Sequence, residues 1–231
     1  MESAVDHITL SHLKLFISRN IGGIKKHEHS SMAVLYGMIC AQLFDYNDRK
    51  NDEAMRFEKA VKQHQIDAIN DLYMEAFPEN ERKPFQLMLD KCEEGTMEML
   101  SIEDENQEFL GLAIYVFYKD MALLDYFAIA KEQRGSGVGT KALKYLQTYY
   151  EGKRFLLEIE DAKIECDNTE ERIRRRAFYL RNGMQVMPFK VDLFGVIMEV
   201  LTYKARLLPE EYMRLYTEVF TNKVAENVKI V

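Results

Sequence analysis

The sequence predicts a mixed α/β (α+β) fold, and three observations carry that prediction. After about residue 53, apolar stripes at helical spacing are interleaved with strand-like apolar runs. Two of those runs are joined by a link short enough for a hairpin, and a glycine run stands where a strand-like segment meets a helix-like one.

In the N-terminal stretch, Ile8, Leu10, Leu13, Phe16 and Ile17 form one apolar stripe. Gly22-Gly23 breaks it, and residues 32–44 form another. The polar run DYNDRKNDE (45–53) then reads as a boundary. The expected division is a helical extension over 1–52 and a folded domain over 53–231 that includes a C-terminal helix.

Within that domain, residues 55–61 read as a short strand. Ile66, Ile69, Leu72, Tyr73 and Phe77 are spaced for a helix that Pro78 stops. Residues 84–92 read as a second short helix ended by Gly95. Strands are expected over 97–102, 109–118 and 121–130, the last two joined by the turn at Lys119-Asp120 and hence antiparallel. Residues 137–150 are spaced for a helix, 155–160 for a buried strand, and 172–180 for a helix capped by Asn182-Gly183. Two more strands (186–191, 195–203) and a helix from Pro209 complete the order. Its stripe of Tyr212, Leu215, Tyr216 and Val219 reads as core or dimer surface.

Composition excludes several classes. A net charge of -7 over 231 residues argues against a general nucleic-acid binder, which usually carries a basic face. No stretch approaches the roughly 20 apolar residues that span a bilayer, so no membrane partner is expected. Three cysteines without CxxC spacing read as reduced thiols in a cytoplasmic protein. His27 and His29 in KKHEH lack a partner cluster, so no metal is expected.

The glycine run EQRGSGVGTK (132–141) looks at first like a nucleotide loop. The P-loop needs lysine directly after its last glycine and then Ser or Thr, whereas here Thr140 precedes Lys141. The strict alternation of Gly135, Gly137 and Gly139 also fails GxGxxG. A run opening a helix still presents unpartnered amides and the positive end of the helix dipole, so it suits an anion. A plain tight turn is the other reading of the same glycines.

The surrounding stretch LDYFAIAKEQRGSGVGTKAL (124–143) resembles the acetyl-CoA-binding motif of the GNAT acetyltransferase superfamily, with Arg134, Gly137 and Gly139 at its three specified positions. AFYLRNGM (177–184) resembles the family's helix end before a strand, though Arg172 and Met184 depart from its usual Asn and Phe. The resemblance covers about 55–203. It implies a central, mostly antiparallel sheet with a splayed strand pair, flanked by helices. It implies acetyl-CoA as co-substrate, with the backbone of Phe127, Ala128, Ile129 and Ala130 toward pantetheine. The amides of Arg134, Gly135, Ser136, Gly137, Val138, Gly139 and Thr140 would face the pyrophosphate. A homodimer is the family's common habit.

Acetyl transfer to a primary amine needs a base for the ammonium, donors for the oxyanion and a proton for the departing thiolate. Tyr179 matches the family's acid; a tyrosine packed on the sheet is the other reading. Glu158 and Asp125 are equal candidates for the base. Alternation puts Glu158 and Glu160 on one face of RFLLEIE, and Glu160 is a candidate for holding a cationic acceptor; a solvated strand end would look the same. The arginines at 172, 174, 175, 176 and 181 suit a phosphate, or a solvated helix face paired with Glu165, Asp167, Glu170 and Glu171. The rival function is a non-catalytic acyl-CoA-binding module for regulation or partner contacts, which need not keep Tyr179 and the acidic strand residues.

Overall fold

The computed structural model describes residues 55–150 and 152–231. The expected N-terminal extension, with its two stripes, Cys40, His27 and His29, lies outside them. The strands are β1 (Met55–Lys59), β2 (Met97–Asp104), β3 (Phe109–Tyr118), β4 (Met121–Ile129), β5 (Arg154–Glu160), β6 (Met184–Leu193), β7 (Val196–Tyr203) and β8 (Val228–Ile230). The helices are α1 (Gln63–Ala76), α2 (Phe85–Glu93), α3 (Val138–Tyr149), α4 (Thr169–Arg181), α5 (Pro209–Val219) and α6 (Asn222–Ala225). These strands form one sheet in the order β1-β2-β3-β4-β5-β7-β6-β8. Every neighbouring pair is antiparallel except β4 and β5.

The hairpin at Lys119-Asp120 is present, with Tyr118 opposite Met121 and Lys119 at φ 51°. Because side chains alternate along a strand, the sheet buries two separate apolar faces. On one, Leu112, Ile114, Val116 and Leu123 pack with Ile69 and Tyr73 of α1, Met88 of α2 and Tyr212, Leu215 and Tyr216 of α5. On the other, Ala113, Tyr115, Leu124 and Leu157 pack with Ala142, Leu143 and Leu146 of α3 and Tyr179 of α4.

Two elements were not expected from the sequence. The four-residue α6 and three-residue β8 are too short to show a period, and β8 exists by pairing with β6, Val228 opposite Leu193. Among the described residues Cys92 and Cys166 are unbridged, and no helix is long and apolar enough to cross a membrane.

Candidate active site

The site begins where β4 and β5 part. They pair in parallel over only four positions, from Met121 opposite Arg154 to Leu124 opposite Leu157. Beyond that point β5 stays paired only with β7 on its other edge, Glu158 facing Val200 and Glu160 facing Met198. β4 stays with β3 but carries a bulge: Ile114 faces Tyr126 while Tyr115 faces Leu124, so Asp125 is the extra residue. The parting of the two strands opens a cleft of about 940 Å³.

At the end of β4 the chain makes one 3-10 turn (Lys131–Gln133) and enters the glycine run. Gly135 and Gly137 stand at φ 82° and 88°, the left-handed region that other residues adopt at a cost. A Cβ at either would meet nothing within 4 Å, so the run faces open space. Gly139 instead packs its α-carbon side toward Ile129 and Phe178, 3.5 and 3.8 Å from an added Cβ. The Arg134 amide donates to the Lys131 carbonyl, and those of Thr140 and Lys141 to the Gly137 carbonyl. The five amides from Gly135 to Gly139 have no acceptor among the described residues, and no side chain caps α3. Free donors and the helix dipole suit this end to a negative charge. Arg134 spends its Nε on the Ile129 carbonyl at 2.9 Å, which ties the loop back to β4.

Of the residues expected along the coenzyme, Phe127, Ala128, Ile129, Arg134, Gly135, Gly137, Gly139 and Thr140 line the cleft. Ala130, Ser136 and Val138 are not among its lining residues. The Ala130 amide donates to the Leu110 carbonyl of β3, and the Ser136 hydroxyl to the Gln133 carbonyl.

The acidic residues separate sharply in environment. Glu158 lines the cleft from β5 and is half-buried. Its Oε1 accepts from the Tyr212 hydroxyl at 2.5 Å, and the Tyr216 hydroxyl lies 3.0 Å from both carboxylate oxygens. Burial outweighs these donors and pushes the carboxyl up from 4.5 to about 7. Asp125, by contrast, is held by Lys83, whose Nζ lies 2.8 and 2.9 Å from its two oxygens. Lys83 was not foreseen: it sits in the loop before α2, its ammonium 5.2 and 5.4 Å from the ring centres of Tyr126 and Phe220.

Glu160 does not present the free carboxylate expected of an acceptor subsite. It is buried and paired with Arg172 at 2.7 Å and with Arg175. The expectation that the arginines form a solvated face paired with Glu165, Asp167, Glu170 and Glu171 is corrected for three of them. Arg172 and Arg175 reach across to β5, and Arg176 reaches Glu199 of β7 at 2.6 Å. Buried carboxylates outcompete solvated helix neighbours because leaving them unpaired costs more than an exposed pair gains.

Tyr179 lies on α4 at the cleft wall, 8% exposed, and burial pushes its phenol up to about 12. Its hydroxyl makes no hydrogen bond among the described residues.

Splayed strands over a glycine-opened helix define an acyltransferase-type cleft, and the sequence comparison agrees. Residues 66–184, just over half the chain, match the acetyltransferase (GNAT) family, and the chain belongs to that family of N-acetyltransferases, which use acetyl-CoA. The fold is similar to that of a GNAT-family protein from Bacteroides thetaiotaomicron, with TM-score 0.60 and 18% identity over 74% of this chain and 98% of the other. It is also similar to a spermidine N-acetyltransferase from Vibrio cholerae in complex with CoA and spermine: TM-score 0.51 and 12% identity over 70% and 99%. A chimeric form of the Vibrio cholerae enzyme gives TM-score 0.53 and 15% identity over 65% and 95%. No curated protein sequence matches the chain.

Proposed function

We propose that this chain transfers the acetyl group of acetyl-CoA directly to a cationic primary amine, with Glu158 as general base and Tyr179 as acid. The observation that carries the reading is that the parted strands β4 and β5 link five unpartnered amides at the glycine run to one carboxyl near pH 7 at Glu158. When bound, acetyl-CoA supplies an activated thioester. The amides of residues 135–139 hold its pyrophosphate, and the parted segment of β4 from Phe127 to Ile129 offers backbone groups to pantetheine. Backbone N–H groups near the Asp125 bulge receive the oxyanion.

Glu158 takes the proton that makes the acceptor nitrogen nucleophilic, directly or through one water, and a carboxyl near 7 is poised for that task. Tyr179 stays protonated at neutral pH and donates to the departing sulfur. Asp125, neutralised by Lys83, is the weaker candidate for the base, and Glu160, neutralised by two arginines, serves to hold α4 against β5. Cationic acceptors are favoured because Glu81 and Glu158 line the cleft without an ion pair among the described residues, Arg172, Arg175 and Lys83 acting on them only from a distance. The similar Vibrio cholerae enzyme acts on spermidine, which supports a polyamine-like acceptor. A dodecameric relative makes self-association, with a homodimer as the smallest form, a consistent expectation, as is a cytoplasmic setting.

Calorimetric titration with acetyl-CoA, beside Gly137→Glu and an ATP control, tests the coenzyme site. A panel of cationic and neutral amines then tests the acceptor: equal rates across the panel would sink the cationic preference. Acetyl-CoA binding with no turnover of any amine would favour the non-catalytic module instead.

A further inference from the structure

We propose that Tyr212 and Tyr216 of α5, which lie beyond the stretch that matches the family, are a positioning pair that fixes the rotamer and charge state of Glu158. This rests on the reading of Glu158 as the base. The two tyrosines are four residues apart, so a helix stacks them on one face, and both are fully buried with ring centres 5.3 Å apart. Both phenols are held protonated, chiefly by burial and then by the Glu158 charge, so each is a donor.

The two donors act unequally on the two carboxylate oxygens. Oε1 receives the Tyr212 hydroxyl and shares that of Tyr216, whereas Oε2 has only the shared one. A phenol carries one hydrogen, so when Tyr216 donates to Oε1 the other oxygen is left without a donor. In that arrangement Oε2 is the atom open to a proton, and the helix decides which way it points. The other groups that act on Glu158 are Asp125 and Tyr126 of β4 and Lys83 of the loop before α2. Asp125 opposes ionisation of Glu158 and Lys83 favours it, and the two are tied to each other. The tyrosine hydroxyls are the donors that touch the carboxylate itself.

The test reads the carboxyl directly in the ligand-free chain. Carbon-13 NMR of glutamate-labelled protein, with Glu158→Gln to identify the resonance, gives its titration midpoint in Tyr212→Phe and Tyr216→Phe. Each variant keeps its ring and leaves the other donor in place. The midpoint is expected to rise by about one pH unit per lost hydroxyl, since a hydrogen bond to a charged group contributes about one such unit or more. The acid limb of the rate profile should move with it. An unmoved midpoint in both folded variants would overturn the proposal and leave the tyrosines as packing. A midpoint that moves while the rate profile does not would keep the clamp and remove Glu158 from catalysis.

Discussion

Lys83 and Asp125 form a two-toothed ion pair at the point where the sheet opens, the Asp125 side chain 4% exposed and that of Lys83 17%. The bulge puts Asp125 at the mouth of the parting, and Tyr73 and Tyr126 pin the loop that delivers Lys83. Lys83→Met strands a buried carboxylate, so we expect a loss of about 3–5 kcal/mol in urea unfolding. Asp125→Asn in the same chain should recover most of that loss. A double variant whose destabilisation equals the sum of the two single variants would mean that the pair contributes nothing beyond its separate parts.

Glu158 should make stability fall as pH rises. Its folded carboxyl titrates near 7 and its ordinary value is 4.5, so between those values the folded chain holds a proton that the unfolded chain has released. The stabilising contribution is intact below 4.5 and is lost through the window, the loss reaching about 3 kcal/mol above 7. Glu158→Gln is expected to match the parent near pH 4 and to exceed it in denaturant midpoint at pH 8. It should also abolish the rise of activity through pH 7. A parallel pair of stability curves would refute the raised carboxyl.

The main elements were legible because they carry long periods: β3, β4, α3 and α5 each repeat an apolar signal over several turns or pleats. The glycine run was legible because left-handed backbone narrows the choice of residue at positions 135 and 137. The pairing of the arginines was not, since Glu160 lies at least 12 residues from them along the chain and only tertiary structure brings them together. Lys83 gives no local sign of its partner 42 residues on. Tyr212 and Tyr216 were read for their rings, which do pack in the core, and their hydroxyls were overlooked. A tyrosine where phenylalanine would fill the same space is the available clue.

Gly137 and Gly139 should respond differently to alanine. Gly137 holds φ 88°, so Gly137→Ala costs about 1–2 kcal/mol, whereas Gly139→Ala meets ordinary contacts and should unfold close to the parent. Gly137→Glu sets a carboxylate against the amides that await an anion, and acetyl-CoA affinity is expected to fall more than tenfold. Undiminished affinity would move the pyrophosphate elsewhere.

Tyr179→Phe removes a hydroxyl that has no hydrogen-bond partner among the described residues, so the fold should scarcely notice. Turnover should drop roughly a hundredfold while acetyl-CoA binding by calorimetry stays unchanged. A loss of binding with turnover preserved would assign the tyrosine to the coenzyme rather than to the proton.

The parting of β4 from β5 also bears on solubility. A strand with unpaired backbone usually lies at a sheet's rim, where it invites other chains to add on and begin aggregates. Here such edges lie inside the sheet, at the bottom of a cleft walled by Gly139 of α3, Phe178 of α4 and Tyr216 of α5. A slender amide-bearing molecule can reach them, while a second sheet is kept out by its width.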